Sequence, residues 1–404
     1  MPEKIFTKPF YIFFLVIPQG LSQGFVSVAL PYLLTHRGFS VATTANIVAI
    51  GLSANIWRFL WGPVVDLSLS LKKWFWIGLI ICMGTILMLC ITPFTVKGET
   101  LLIIIVFLSQ VAGTFTLLPV NGFMANRIVE EDKGKASGWY QAGSLTGVGL
   151  GGGAGLWLAE HYSILIAGIV LCAASILSSL VIVLIKDIHY QKEKSILKEV
   201  AGMGKDIFAL LKIPVALFAM ILIVLPIGSG GAANIWSAIA QDWKTDADTV
   251  ALVTGILSGL VSAIGCIVGG YIADKKGVWF AYFNAGIICG VVTIIMAVLP
   301  YQPWVYISGV LAYIFAIGLV NAAFTAVILF AIGKKNVATK FSLLSSIGNV
   351  PVIYMTVFDG WAHDRFNSKY MLLAEAAVGI LAVLIMAMAL QRMKVKKIGM
   401  ERVE

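Results

Sequence analysis

Charged side chains are scarce in this sequence. Only 12% of the 404 residues are Asp, Glu, Lys or Arg, whereas 59% are hydrophobic and the mean hydropathy is +0.94. A soluble domain carries about 25% charged residues, so the composition excludes a soluble enzyme, a secreted disulfide scaffold and a disordered chain. A bilayer admits only helices and closed barrels, so the sequence predicts one of these two membrane architectures.

Alternation of apolar and polar residues, the sign of barrel strands, is missing as well. The apolar stretches are continuous and long enough for helices that cross a hydrocarbon layer of about 30 Å. The sequence therefore predicts an all-α integral membrane protein with twelve transmembrane helices. Their approximate bounds are residues 10–33, 41–62, 73–94, 100–126, 136–159, 161–186, 213–240, 248–273, 278–300, 302–332, 338–361 and 368–391.

Motifs for metal, redox or nucleotide chemistry are absent too. The five cysteines lie in apolar stretches without a Cys-x-x-Cys spacing, which favours core packing over a metal site. A formal Gly-x-Gly-x-x-Gly at Gly147, Gly149 and Gly152 follows no strand and lies in a predicted transmembrane helix. We expect neither a metal nor a cofactor.

Basic residues are distributed unevenly between the loops. With the N-terminus in the cytoplasm, 23 of the 29 Lys and Arg residues lie on the cytoplasmic side and five lie outside. This bias predicts cytoplasmic termini and a multi-pass protein of the cytoplasmic (inner) membrane. It also explains the net charge of +9 without a nucleic-acid partner.

The two halves of the chain share short motifs in the same order. The proline in span 1 and the Gly-x-x-x-Asp motif after span 2 recur 208 residues later, and an asparagine in span 4 recurs after 200. These matches indicate two pseudo-symmetric six-helix bundles. We expect an N-terminal bundle at residues 1–186, a basic amphipathic cytoplasmic linker at 187–212 and a C-terminal bundle with a short basic tail at 213–404.

The repeated loop motif resembles that of the major facilitator superfamily. It consists of Gly62, Asp66, Lys72 and Lys73 in one half and Gly270, Asp274, Lys275 and Lys276 in the other. The resemblance implies two bundles that rock around a central cavity. The two carboxylates would act as a conformational latch on the cytoplasmic side, and the alternative is that they are ordinary solvated loop charges.

A narrower resemblance covers the nine residues from Arg58 to Asp66. Arg-Phe-Leu-Trp-Gly-Pro-Val-Val-Asp is similar to a stretch of the AmpG-type muropeptide permeases, acetyl-CoA transporters and single-subunit siderophore permeases. It implies uptake of an amphipathic organic solute. Span 4 carries Asn121 and Asn126 where AmpG-type permeases tend to have acidic residues.

Arg58 lies farther inside a predicted span than any other basic residue. A charge in lipid marks function by default, so Arg58 is a candidate for gating or for binding an anionic substrate group. The alternative is a structural pair with Asp66, since Arg58 lies about one turn from the end of the predicted span.

Polar side chains near the middle of the spans are candidates for the substrate cavity, because an amide in lipid needs a partner. Hydrogen bonds between helices are the alternative role. The candidates are Gln19, Gln23, Asn121, Tyr140, Gln141, Asn234, Trp236, Asn321 and Asn349.

Glycines recur at every fourth position of span 5, and small residues at this spacing let two helix backbones approach closely. We expect this stripe to meet glycines of span 8 between the two halves, where a smooth face permits rocking. Packing within one half is the alternative. The residues are Gly143, Gly147, Gly151 and Gly155, with Gly255 and Gly259 opposite.

Carboxylates deep in the spans are almost absent. Asp359 and Glu375, toward the outer ends of spans 11 and 12, are the best candidates for proton coupling. The sequence thus predicts a monomeric secondary transporter for a small organic solute, with or without a co-transported proton. Efflux of a drug or metabolite is the alternative, and a non-transporting receptor or an intramembrane enzyme is a remote one.

Overall fold

A computed structural model describes residues 7–95, 98–129, 132–187, 214–332 and 337–392, and all regular structure in these ranges is helical. Apart from Asp187, the predicted linker 187–212 lies outside the described residues, as does the basic tail beyond Arg392. The helices are α1 (Tyr11–Thr35), α2 (Val41–Leu52), α3 (Ala54–Leu67), α4 (Leu71–Ile91), α5 (Glu99–Arg127), α6 (133–161), α7 (Ile164–Leu184), α8 (Pro214–Val224), α9 (Ala247–Lys276), α10 (Val278–Val298), α11 (Pro303–Ile332), α12 (Val337–Ile347), α13 (Asn349–Arg365) and α14 (Ser368–Arg392).

Eight of these helices are long and apolar enough to cross a membrane, namely α1, α4, α5, α7, α9, α10, α11 and α14. The prediction of a multi-pass, all-helical membrane protein is confirmed at this level. Spans 2 and 11 each consist of two helices, which are separated at Ser53 and Gly348. The number twelve, together with the orientation of the termini, stays a prediction.

Span 7 differs from the expected continuous helix over 213–240. Helix α8 ends at Val224, and the chain continues through turns and two short 3₁₀ segments, Ala232–Asn234 and Ala240–Trp243. Pro226 has no backbone N–H to donate, and Gly228 and Gly230 adopt positive φ values of 56° and 76°. Glycine tolerates this backbone conformation without strain, so local sequence explains the break.

The chain crosses between two faces of the molecule. We call the face with residues 7–10, 68–70, 128–129 and 277 the termini face. The opposite face, with residues 36–40, 162–163, 241–246 and 366–367, is the far face. Hydrogen bonds tie neighbours together on each face, such as the Thr7 amide to the Arg127 carbonyl (2.7 Å) on the termini face.

Three large apolar cores show how the halves are joined. One core fills the far-face side and includes buried residues of both halves, from Phe25 and Leu102 to Trp236 and Tyr306. On the termini-face side, one core belongs to the N-terminal half, around Phe75 and Phe123. A separate core there belongs to the C-terminal half. The halves therefore share a continuous core toward the far face and have separate cores toward the termini face.

Candidate translocation pathway and the contacts between the halves

A carboxylate joins the two halves at the far face. Asp364, near the end of α13, accepts hydrogen bonds from the backbone amides of Val41 and Ala42 at 3.1 and 2.9 Å. These amides open helix α2, where N–H groups lack partners within the helix and the helix dipole favours a negative charge. We call this contact the far-face clasp. Gly360 lies against Ala42 and Ala45 one turn below it.

A histidine lies beside the clasp. His363 Nε2 is 2.8 Å from Asp242 Oδ2, and the Ser368 hydroxyl donates to the same oxygen. Burial lowers the pKa of the His363 imidazole, but hydrogen bonding and the charges of Asp242 and Asp364 outweigh it, so its pKa is raised from the usual 6.5. Burial raises the pKa of the Asp242 carboxyl, but hydrogen bonds from His363 and Ser368 prevail and lower it.

Two further histidines contact the other half at this face. His36 Nε2 is 2.5 Å from the Gln241 amide nitrogen, and the His36 ring stacks on Tyr32 at 3.9 Å. His161 at the end of α6 is 3.7 Å from Asp248 at the start of α9. Polar contacts therefore surround the shared apolar core at the far face.

The stripe of span-5 glycines faces a different helix from the expected one. A Cβ added at Gly143, Gly147 or Gly151 would meet the backbone of α1 at Phe13, Ile17 or Leu21, and at Gly155 it would meet Phe25. All four thus pack within the N-terminal half. The reason is the direction in which each residue points around the helix axis. Residues spaced by four share the face of α6 toward α1, whereas other residues form its face toward α9.

Those other residues are Gly149 and Gly153. A Cβ at Gly149 would lie 3.1 Å from the Gly255 carbonyl oxygen, and one at Gly153 would lie 2.6 Å from the Ala251 carbonyl oxygen. Gly259 lies against Leu145 of α6. Helices α6 and α9 pass each other at π-helical turns, Leu150–Ala154 in α6 and Ala251–Ile256 in α9. Gly255 and Gly259 thus lie between the halves.

The predicted cavity residues fall into two sets. Gln19 is buried and donates to Gln23 Oε1 at 2.7 Å; Asn234 donates to the Thr356 hydroxyl at 2.9 Å; and Trp236 is fully buried in the far-face core. These residues bond or pack inside the protein, and Trp236 does not line a cavity. Asn121, Gln141 and Asn321 have exposed side chains, whereas Tyr140 and Asn349 are partly exposed.

Arg58 lies deeper than the sequence suggests. Helix α3 continues to Leu67, nine residues beyond Arg58, which is about 13 Å at 1.5 Å per residue. Arg58 is partly exposed and lies within electrostatic reach of Tyr140. Among the residues described, it has neither a hydrogen bond nor an ion pair. The alternative of a pair with Asp66 involves a side chain outside the described residues and stays a prediction.

The latch residues lie at the termini face. The Lys72 amide donates to Asp187 Oδ1 at 3.1 Å, a contact within the N-terminal half. Lys275 lies over the Tyr271 ring at 4.5 Å and Lys276 over the Phe280 ring at 5.3 Å. Asp274 is exposed and, in the described part of the chain, has no hydrogen-bond partner.

For the other members of the latch the structure describes less. A Cβ at Gly62 or Gly270 would meet open space, and Lys73 is exposed. The Asp66 side chain lies outside the described residues, although its backbone is part of α3.

Asp359 and Glu375 lie close together beside the broken span 7. Asp359 is fully buried, and neither of its carboxylate oxygens has a hydrogen-bond partner among the residues that the structure describes. A Cβ at Gly231 would lie 2.7 Å from Asp359 Oδ2. Glu375 Oε1 accepts a hydrogen bond from the Tyr313 hydroxyl at 2.5 Å, whereas Oε2 is buried and has no hydrogen-bond partner among the described residues.

A small cavity adjoins Glu375. Its volume is about 10 Å³, which is room for about one water-sized occupant. Its walls include Ser229, Thr293 and Tyr313. The break in span 7 thus brings backbone and hydroxyl groups to the buried carboxylates.

Sequence reasoning missed several of these partners. Asp242, Asp364 and Tyr313 were not among the candidates, because no local pattern distinguishes the two aspartates from other residues at span ends, or Tyr313 from other aromatic residues within a span. One sequence signal could have drawn attention to Asp364: it directly follows His363, just beyond a span that ends in Asp-Gly-Trp.

Comparison with known families decides the class. The family model described as the major facilitator superfamily matches residues 12–356. The chain belongs to this superfamily. A search of curated protein sequences finds no match to the chain.

Solved superfamily structures share the fold at low sequence identity. A D-xylose–proton symporter is 12% identical with a TM-score of 0.73, and the match covers 94% of this chain and 96% of that one. A nucleoside transporter is 14% identical with a TM-score of 0.71, and the match covers 95% of this chain and 99% of that one. A bacterial homologue of the human lysosomal transporter Spinster is 14% identical with a TM-score of 0.68, and the match covers 95% of this chain and 96% of that one.

Proposed function

We propose that this superfamily member is a secondary active transporter of the cytoplasmic membrane that works by alternating access. Residues 1–186 and 213–404 form the two bundles, 187–212 links them, and the termini face is cytoplasmic. The observation that carries the proposal is the unequal junction of the halves, with one shared core toward the far face and separate cores toward the termini face.

The described state is then closed to the outside and its cytoplasmic contacts are released. The Asp274 carboxylate, which has no hydrogen-bond partner in the described part of the chain, fits this assignment, because a latch that holds the cytoplasmic side closed is open in this state. When the halves rock, Asp274 would bind helix N-termini or basic groups on the cytoplasmic side, and the far-face clasp would separate.

We assign the protein to uptake of an amphipathic organic solute. The resemblance of residues 58–66 to muropeptide, acetyl-CoA and siderophore permeases supports this class. The transported solute would occupy the space next to Asn121, Gln141 and Asn321, whose exposed amides are tolerated in a membrane only beside water or a ligand.

The carboxylate pair supports proton coupling. A buried carboxylate without partners is unfavourable while it is charged, and Asp359 has none. Glu375 accepts one hydrogen bond, from the Tyr313 hydroxyl, which stabilises its charged form. A proton that arrives from the far face would reside on Asp359 and would leave when the pair is exposed to the other side.

Uptake by proteoliposomes tests both parts. With an inward proton gradient, we expect wild-type protein to accumulate its solute and the Asp359→Asn variant to lose accumulation while it still exchanges solute across the membrane. Glu160→Gln, which removes an exposed carboxylate at the far-face end of α6, is the matched control. Accumulation that survives in an Asp359→Asn, Glu375→Gln double variant would refute the coupling role, and no transport by any variant would refute the transporter.

A further inference from the structure

Arg58 is an isolated cation inside the membrane-spanning part of the molecule. It is partly exposed on α3, with no hydrogen bond or ion pair among the described residues. An unpaired charge at such depth is costly unless water or a counter-charge compensates it. The deep carboxylates, Asp359 and Glu375, belong to the far-face ends of α13 and α14 and thus lie toward the other side of the membrane.

The surroundings of Arg58 indicate that it points toward the space between the halves. Tyr140, within electrostatic reach of the guanidinium, is seven residues from the start of α6, a depth of about 10 Å. Helices α3 and α6 both belong to the N-terminal half and both contact the C-terminal half, through α12 and α9 respectively. Arg58 and Tyr140 thus influence each other from two helices that both border the other half.

Other groups near this position also lack partners. Trp61, one turn beyond Arg58, has a buried indole N–H without a hydrogen-bond acceptor, and its ring lies 6.0 Å from that of Phe115. Gln141 adjoins Tyr140 with an exposed amide, and Asn121 is exposed six residues from the end of α5. The set combines one positive charge, hydrogen-bond donors and aromatic rings.

We infer that Arg58 binds the anionic group of the transported solute, so that the substrate is an amphipathic organic anion with a carboxylate or phosphate group and an apolar or aromatic body. The planar guanidinium suits such oxyanions because it forms two parallel hydrogen bonds with them. The Trp61 and Phe115 rings would contact the apolar body. This inference rests on the proposed transport function and names its substrate class.

Binding to purified full-length protein in detergent tests the inference with solutes that differ only in charge. The probes are N-acetyltryptophan against N-acetyltryptophanamide, and adenosine monophosphate against adenosine. We expect at least one anion to raise the melting temperature more than its neutral partner. Arg58→Gln should weaken binding of that anion by about 10- to 100-fold, and Arg58→Lys by less than about tenfold because the charge remains.

Arg392→Gln is the matched control, since Arg392 is an exposed arginine at the end of α14. Gel filtration and the melting temperature without solute check that each variant is folded. If Arg58→Gln does not fold, competition of inorganic phosphate with the anionic probe on wild-type protein replaces it, and an absence of competition counts against the inference.

Three outcomes would overturn the inference: neutral solutes that stabilise as well as anions, no anion that stabilises, or anion binding unchanged in Arg58→Gln. The same solutes in wild-type proteoliposomes separate the two proposals. Transport of neutral solutes without preference for anions refutes only the substrate class, whereas Arg58-dependent binding without transport refutes only the transporter.

Discussion

At the residue scale, the His363 imidazole lies between two carboxylates at the far face. It contacts Asp242 at 2.8 Å and Asp364 at 3.4 Å, and Asp364 in turn binds the start of α2 in the other half. Burial raises the pKa of the Asp364 carboxyl, but hydrogen bonds from Ser40, the Ala42 amide and His363 lower it on balance. Both carboxylates therefore stay charged near neutral pH, and the histidine holds them together when it is protonated.

The directions of these pKa shifts predict how the stability of the folded protein depends on pH. His363 has a pKa above 6.5 when folded, so its contribution to stability is complete below about pH 6.5 and is lost as the pH rises through the raised value. Asp242 has a lowered pKa, so its contribution is present above 3.8 and is lost only in acid. We expect the melting temperature to fall between about pH 6 and pH 8, and to fall less in His363→Gln.

A double-mutant cycle isolates the pair. His363→Gln and Asp242→Asn should each reduce the pH-dependent fall, and the double variant should show no larger reduction than either single variant, because both remove the same interaction. Equal pH slopes in wild type and His363→Gln would contradict the assignment.

At the element scale, one helix has two glycine faces with different partners. On α6, Gly143, Gly147 and Gly151 face α1 in the same half, whereas Gly149 and Gly153 face α9 in the other. Successive residues of a helix point about 100° apart, so an offset of two positions reaches a different neighbour. The pattern in the sequence predicts close approach by this helix but does not decide which helix approaches which glycine.

The two glycine faces of α6 predict different effects for two substitutions. Gly153→Leu should separate the halves at the far face, because the added side chain would meet Ala251 and Ile256. Gly151→Leu should instead destabilise the N-terminal half, because it meets the backbone of α1. The Gly84→Leu variant serves as control, since its Cβ meets open space.

Crosslinking between His36→Cys and Gln241→Cys measures the far-face contact in a background without the native cysteines. We expect Gly153→Leu to lower the crosslinking yield several-fold and Gly84→Leu to leave it unchanged. An unchanged yield in Gly153→Leu would show that this glycine contact does not hold the far face closed.

At the scale of the whole molecule, the arrangement of the apolar cores corresponds to one of the two states that the proposed transport cycle requires. The halves share buried side chains only toward the far face in the part of the chain that the structure describes. A second state with a core shared on the other side requires the far-face contacts to separate and cytoplasmic ones to form. Asp274, exposed and without a hydrogen bond to any described residue, is a candidate for such a contact.

Asp274→Asn should therefore impair transport without loss of membrane insertion, because it removes the charge that would hold the cytoplasmic side closed. We expect a fall of about tenfold in uptake rate, which corresponds to about 1.4 kcal/mol. Asp132→Asn, a carboxylate at the same face paired with Lys135 at 2.7 Å, is the matched control. Uptake kinetics equal to wild type in Asp274→Asn would contradict the latch.

The sequence by itself determined the membrane class, most of the long helices, the repeat and the superfamily. These features are local, since hydrophobic length and loop charge are properties of consecutive residues. It also made Asp359 and Glu375 the candidates for proton coupling, which stays a prediction. Only the tertiary structure decided that these carboxylates meet at a break in span 7, that Trp236 is buried in the core, that Asp364 joins the halves and that Arg58 has no hydrogen bond or ion pair among the described residues. Such contacts join residues far apart in the chain and depend on the rotation of each packed helix, which the scarce charges alone do not specify.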